Sequence, residues 1–173
     1  MKISQTNRGK ALEGYLEWAN MLYANQGIAL VRKVEVPRIW DKKSGTMKYA
    51  ARTGFDYEGL ICSSGRYVAV EAKETQANGL YVDPTGKRGL RAHQVAAVIQ
   101  YGHANAYAGV VWSCLSEGKI FFLDWKFLED WMATVYNKEM HRGKPVKSIK
   151  LRHVEPFCPD VLRNGVPDYL MML

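Results

Sequence analysis

The chain predicts a mixed α/β domain built on one central sheet. Three observations carry that expectation: two or three stretches with apolar residues at helical spacing, several Val/Ile-rich runs of strand length, and glycine-containing turns between neighbouring runs. After Gly9, the residues Leu12, Leu16, Ala19, Leu22 and Tyr23 form a helical stripe, and Asn25-Gln26-Gly27 stops it with glycine just past the end. Residues 28–37 read as a strand whose Pro37 marks its end or a sheet edge. Residues 38–53 are polar and basic, with Ser44-Gly45 near the middle as a turn signal, so the piece is an extended hairpin or a flexible loop. Residues 55–62 and 66–73 are strands joined by Ser63-Ser64-Gly65 and are expected to pair antiparallel.

Further along, the glycines and Pro84 make residues 76–89 a loop, and Val95, Val98 and Ile99 place a helix over 92–101. Residues 108–115 and 119–124 form a second hairpin around Ser116-Glu117-Gly118. Asp124 then caps a helix to about Asn137 that buries Phe127, Leu128, Trp131 and Val135. The resulting order α-β-β-β-α-β-β-α calls for one mixed sheet flanked by helices, in a single domain over residues 1–173. Residues 139–173 are a tail without a clear element, basic at Lys144, Lys147, Lys150 and Arg152. Its apolar end at residues 169–173 suits docking on a surface or a partner chain.

A hydrophobic content of 47% is that of a globular protein, and 24 Lys+Arg against 17 Asp+Glu give a net charge of +7, which favours a polyanionic partner. Nucleic acid leads, ahead of an acidic membrane surface. No apolar run approaches the roughly 20 residues that span a bilayer. The start of the chain, with Lys2, Arg8 and Lys10, lacks the hydrophobic segment of a signal peptide, so a cytoplasmic protein is expected. Cys62, Cys114 and Cys158 lie far apart, which indicates neither a disulfide framework nor a zinc site.

The chemistry centres on residues 67–73, Tyr-Val-Ala-Val-Glu-Ala-Lys. Alternation along a strand sends Glu71 and Lys73 to one side and Val68, Val70 and Ala72 to the other, into a core. On the strand before it, Asp56 stands in Gly-Phe-Asp-Tyr-Glu-Gly. Two carboxylates and one lysine then converge, which suits a divalent metal and a water attacking a phosphate. Asp56 and Glu71 are the expected ligands, the carbonyl of Ala72 a natural third, and Lys73 the group that orients the water and offsets transition-state charge. A solvated Glu-x-Lys pair on a strand is the plainer reading of the tripeptide alone. Asp56 and the basic balance of the chain weigh against it.

Residues 7–13 (Asn-Arg-Gly-Lys-Ala-Leu-Glu), Asp56-Tyr57-Glu58-Gly59, Glu71-Ala72-Lys73-Glu74-Thr75 and His93-Gln94 together resemble the RecU family of Holliday junction resolvases, within the PD-(D/E)xK nuclease superfamily. The blocks run in order to about Asp124. The resemblance implies a restriction-endonuclease-like α/β fold, a homodimer, dependence on Mg2+ with Mn2+ as the alternative, and paired nicks across a four-way DNA junction. It also implies a cytoplasmic protein of a bacterial cell or phage-infected host. Position by position, it makes Asp56 and Glu71 metal ligands, Lys73 the transition-state stabiliser and Gln94 a further contact to the metal or its water. Glu13 matches an acidic helix position near the metal. Two departures stand out: Gly54 lies where the family pattern has threonine, with Thr53 one place earlier, and Phe55 replaces the superfamily proline.

The resemblance also turns residues 38–53 into a projecting stalk that enters the junction. Arg38, Lys42, Lys43, Lys48 and Arg52 are its phosphate contacts, and Trp40 and Tyr49 its stacking groups. Lys87, Arg88 and Arg91 form a second basic patch, which Arg8 and Lys10 join. Two other readings share the fold: a non-catalytic DNA-binding accessory protein of recombination, and a nuclease acting on linear or flapped DNA. Intact Asp56, Glu71 and Lys73 favour catalysis over the first, and the stalk favours a junction over the second.

Overall fold

A computed structural model describes residues 10–35, 38–49, 54–83, 89–141 and 144–171, with the backbone alone described at Lys10, Arg38, Lys48, Tyr49, Met140, His141 and Pro145. In chain order the elements are α1 (Lys10–Asn25), β1 (Ala29–Lys33), β2 (Arg38–Asp41), β3 (Thr46–Tyr49), β4 (Tyr57–Ile61), β5 (Tyr67–Thr75), β6 (Gly79–Asp83) and β7 (Leu90–Arg91). After these come α2 (Ala92–His103), β8 (Tyr107–Cys114), β9 (Lys119–Asp124), α3 (Trp125–Thr134), β10 (Met140–His141), β11 (Lys144–Pro145), β12 (Ser148–Lys150), α4 (Leu151–Val154), β13 (Leu162–Arg163) and β14 (Val166–Pro167).

The central sheet has the order β1-β4-β5-β8-β9. Every pairing in it is antiparallel except β5 with β8, which is parallel over Val68↔Tyr107 to Thr75↔Cys114. A parallel neighbour needs a crossover, and α2 supplies it. This is the expected α/β architecture, a central mixed sheet flanked by helices.

Both faces of the sheet are covered. Leu12, Leu16, Ala19 and Tyr23 of α1 pack on Tyr57, Val68, Val70 and Val111, whereas Val95, Val98, Leu128 and Trp131 of α2 and α3 pack on Ala69, Val110 and Trp112. Helix α2 lies close to α3 because Gly102 has no side chain: a Cβ there would sit 2.1 Å from the Trp125 ring. Asp124 caps α3 as expected, its Oδ1 accepting from the Phe127 N–H at 2.8 Å. That helix ends at Thr134, a little before Asn137.

Two expectations are corrected, and for the tail one of the two expected docking places is found. Residues 79–83 are strand β6, with Leu80 and Val82 fully buried. The expected loop overlooked the alternation Leu80-Tyr81-Val82, and pairing comes from β12, seventy residues away, as well as from β7. Strand β5 carries Glu71 and Lys73 on one side as expected, but the core is not confined to the other: Ala69 and Glu71 are buried along with Val68 and Val70, as befits a central strand with helices on both sides. The end of the tail packs on its own chain: Tyr169 and Leu170 are buried between α1 and the sheet.

That docking is specified by polar contacts as well as area. The Tyr169 hydroxyl donates to Asn20, the Tyr23 hydroxyl donates to Asp168 Oδ1 at 2.9 Å, and Tyr107 donates to the Tyr169 carbonyl at 2.7 Å. Burial raises the phenols of Tyr23, Tyr107 and Tyr169 far above the ordinary range, so all three remain donors. Tyr169→Phe strips the buried Asn20 carbonyl oxygen of its donor and is expected to cost about 1–3 kcal/mol. An unchanged midpoint in urea unfolding would show that the apolar contacts alone hold the tail.

Candidate active site

The site forms where the sheet parts. β4 pairs with β5 only as far as Tyr57↔Val70, and the next pair in that register is Asp56 opposite Glu71. There the backbone ladder gives way to a side chain: Asp56 Oδ2 accepts the Ala72 N–H at 2.9 Å. Asp56 is held from behind as well, its carbonyl accepting the Val34 N–H at 2.8 Å. The residue before it is fully buried, with the Phe55 ring edge-on to Tyr101 of α2 at 4.9 Å. Phe55 thus anchors the turn that aims Asp56.

Glu71 is 2% exposed, a carboxyl buried in the central strand. Two donors meet on its Oε1: the Lys73 ammonium, two residues along the same face, and the Gln94 side-chain amide from the first turn of α2. Burial pushes the Glu71 carboxyl up to about 7; the Lys73 charge works against that rise, and Asp56 adds to it by charge and by accepting the carboxyl proton.

The orientation of Gln94 is settled by its other partner. Its Oε1 accepts the Arg91 N–H at 3.0 Å, so the amide must turn its NH2 toward Glu71. Gln94 therefore touches the site as a donor to a carboxylate, with its oxygen engaged in the helix cap. Arg91 is the residue before α2, half-buried.

Other expected residues lie apart. Glu13 on α1 pairs with Lys33 at 2.7 Å, and its backbone carbonyl accepts the Tyr57 hydroxyl at 3.4 Å. Tyr57 is the residue next to Asp56, and the charges of Glu13, Glu17 and Asp56 all add to the burial that raises its phenol. Glu13 is thus a near neighbour on the α1 side of the sheet, while Asp56 and Glu71 face α2.

Residues 38–49 form the two-stranded hairpin β2–β3, inserted in the chain between β1 and Asp56. Its turn is ordered by Asp41, which accepts from the Lys43 N–H at 3.0 Å and the Ser44 hydroxyl at 2.8 Å. Lys42 and Lys43 are exposed in that turn, and Trp40, 60% exposed, stands across from Met47. Lys10 opens α1; its side chain and those of Arg38, Lys48 and Tyr49 lie outside the described residues, as do Arg8, Thr53, Arg52, Lys87 and Arg88 entirely.

Among the described residues no three His, Cys, Asp or Glu side chains gather at one point. The oxygen set at the seam is smaller: Asp56, Glu71 and the carbonyl of Ala72. It fits magnesium, which binds through one or two carboxylates and otherwise keeps waters and substrate phosphate oxygens. The buried Glu71 charge, countered by one ammonium, is what a cation would relieve.

The fold and site define a class: an α/β protein of mixed sheet with two acids, a lysine and an amide at an opening between strands, on a basic chain. The family model for Recombination protein U, RecU, matches residues 7–164, and the chain belongs to that family. Membership places it among the DNA-binding nucleases of recombination, the Holliday junction resolvases. Among solved structures it is similar to Hjc, a Holliday junction resolvase from the archaeal hyperthermophile Archaeoglobus fulgidus, with 12% identity and a TM-score of 0.47 over 84% of this chain and 95% of that one. No curated protein sequence matches the chain. Among the described residues no helix is long and apolar enough to cross a membrane.

The raised Glu71 carboxyl has a consequence for stability. Its favourable contribution is complete below the unfolded value of 4.5 and is lost as pH rises through about 7. In metal-free protein, Glu71→Gln is therefore expected to stabilise the chain at pH 8 by up to about 3 kcal/mol, a gain that vanishes below about pH 4.5. Thermal unfolding in a chelator across that range reads it; a destabilised variant at pH 8 would mean that the Lys73 pair outweighs burial.

Proposed function

We propose that the chain is a metal-dependent endonuclease that resolves four-way DNA junctions by paired nicks, with Mg2+ as its ion and Mn2+ as a substitute. The observation that carries this reading is the meeting of Asp56 and Glu71 at the parted edge of β4 and β5, with the Lys73 ammonium on Glu71.

Asp56, Glu71 and the Ala72 carbonyl would hold the ion. A bound magnesium supplies Lewis-acid polarisation of the phosphate and a water made nucleophilic at neutral pH. Asp56 keeps its carboxylate aimed by accepting the Ala72 N–H, so one acid both shapes the end of the strand and faces the opening. Lys73 places a positive charge beside the position of the attacked phosphate, where it stabilises negative charge that grows in the transition state. Gln94 holds Glu71 from the helix side and acts through it. Glu13, paired with Lys33 on the α1 side of the sheet, stands outside this set.

The basic balance and the hairpin supply the substrate side of the proposal. Lys42 and Lys43 at the tip, with Arg38, Lys48 and Arg52, offer phosphate contacts, and Trp40 and Tyr49 offer stacking groups. By sequence, Arg8, Lys10, Lys87, Arg88 and Arg91 add further candidate phosphate contacts. A homodimer accompanies the reading, because symmetric nicks in a junction with equivalent strands need two sites related by a two-fold axis. Exposed Tyr15, Trp18 and Met21 on the outer side of α1 provide an apolar face for such a contact.

Asp56→Asn or Lys73→Ala is expected to reduce junction cleavage in magnesium at least 100-fold while junction binding in calcium stays within about threefold. Nicking retained by either variant would remove the site from the chemistry. Reversing the hairpin charge with Lys42→Glu and Lys43→Glu is expected to weaken junction binding about tenfold and duplex binding much less. Equal losses in a gel-shift comparison would make the hairpin a nonspecific contact.

A further inference from the structure

Beyond Val70, β5 has backbone pairing to β8 on one edge, while on the other the β4 ladder has ended. Glu71, Lys73 and Thr75 all lie on this half-supported end and on one face of it. Trp112 of β8 stands abreast of Lys73 on that face, fully buried. A buried indole N–H needs an acceptor, and it finds one two residues further along β5: Trp112 Nε1 donates to Thr75 Oγ1 at 2.9 Å. Thr75 passes its own proton on to the Ala77 carbonyl at 2.8 Å, and its backbone carbonyl accepts the Leu115 N–H at 2.9 Å. The indole is seated in turn against Phe121, with ring centroids 5.8 Å apart.

The bond from Trp112 to Thr75 thus runs diagonally across the pleat, past the C-terminal side of Lys73. We infer that Trp112 and Thr75 are positioning residues for Lys73: the bond ties the half-supported end of β5 to β8 by side chains as well as backbone, so that the Lys73 ammonium is directed back to Glu71. The inference rests on the nuclease reading for its functional readout. It goes beyond that reading in giving the lysine a support outside the acidic pair. An apolar core tryptophan with an incidental polar contact would require no particular residue at position 75, and Lys73 would be indifferent to it.

The test compares Thr75→Val, which keeps the shape and removes the acceptor, with Thr75→Ser, which keeps the hydroxyl, and with Trp112→Phe. The indole N–H resonance of Trp112 is followed by NMR, and junction cleavage in magnesium is followed at saturating and limiting DNA. Thr75→Val is expected to expose the indole N–H to faster hydrogen exchange and to lower kcat about five- to tenfold with KM unchanged, the scale of one hydrogen bond. Thr75→Ser should restore both readouts, and the double variant Thr75→Val, Trp112→Phe should be no worse than the poorer single one. Wild-type kcat in Thr75→Val, a Thr75→Ser variant as impaired as Thr75→Val, or losses that multiply in the double variant would overturn the inference. Unaltered exchange in Thr75→Val would show that the bond is absent in solution. A wild-type chain that binds junction and cuts nothing would instead remove the nuclease reading and this inference with it.

Discussion

A carboxyl group inside the central strand is the constraint on which the rest of this structure turns. Glu71 is buried beside Val70 of its own strand and Val110 of β8, and burial favours its neutral form strongly enough to bring it to about 7. The surroundings are organised to tolerate that group: a lysine two residues away, an amide reaching from α2, and a strand that leaves the ladder just where the acid begins. A buried polar group left without partners costs stability. Here the Lys73 ammonium and the Gln94 amide both meet on one oxygen of the buried acid.

The crossover explains how such a place can be rigid. Because β5 and β8 are parallel, the chain must travel back through α2 before β8 starts, and that brings the first turn of α2 beside the end of β5. Gln94 is thereby fixed at two ends, by the Arg91 N–H and by Glu71. Asp56 reaches the same point from the opposite side, on a turn anchored by Phe55 and tied to β1 through Val34. Four segments that are distant in the chain set the acids, while the hairpin β2–β3 is inserted between β1 and Asp56 as a separate two-stranded sheet.

Much of this was legible in the residues themselves. The helical stripes at Leu12–Tyr23 and Val95–Ile99, the hairpins at Gly65 and Gly118, and the cap at Asp124 are local patterns, and the structure realises them. Asp56, Glu71 and Lys73 could be grouped because adjacent strands with a short turn bring opposite residues together. What escaped was non-local. β6 exists because a segment near residue 149 pairs with it, the tail docks because Asn20 and Tyr23 are waiting on α1, and Trp112 looks like any core aromatic until Thr75 is seen beside it. Resemblance alone singles out Gln94, but the direction of its amide depends on a backbone N–H that only the fold supplies.

The central claim is that Asp56 and Glu71 jointly form one cation site at the seam. Manganese titration of the intact chain at pH 8, followed by electron paramagnetic resonance, addresses it without relying on cleavage. One ion per chain, lost in Asp56→Asn and in Glu71→Gln alike, is the expected result. Binding that survives removal of either carboxylate, or no binding by the wild-type chain, would contradict it.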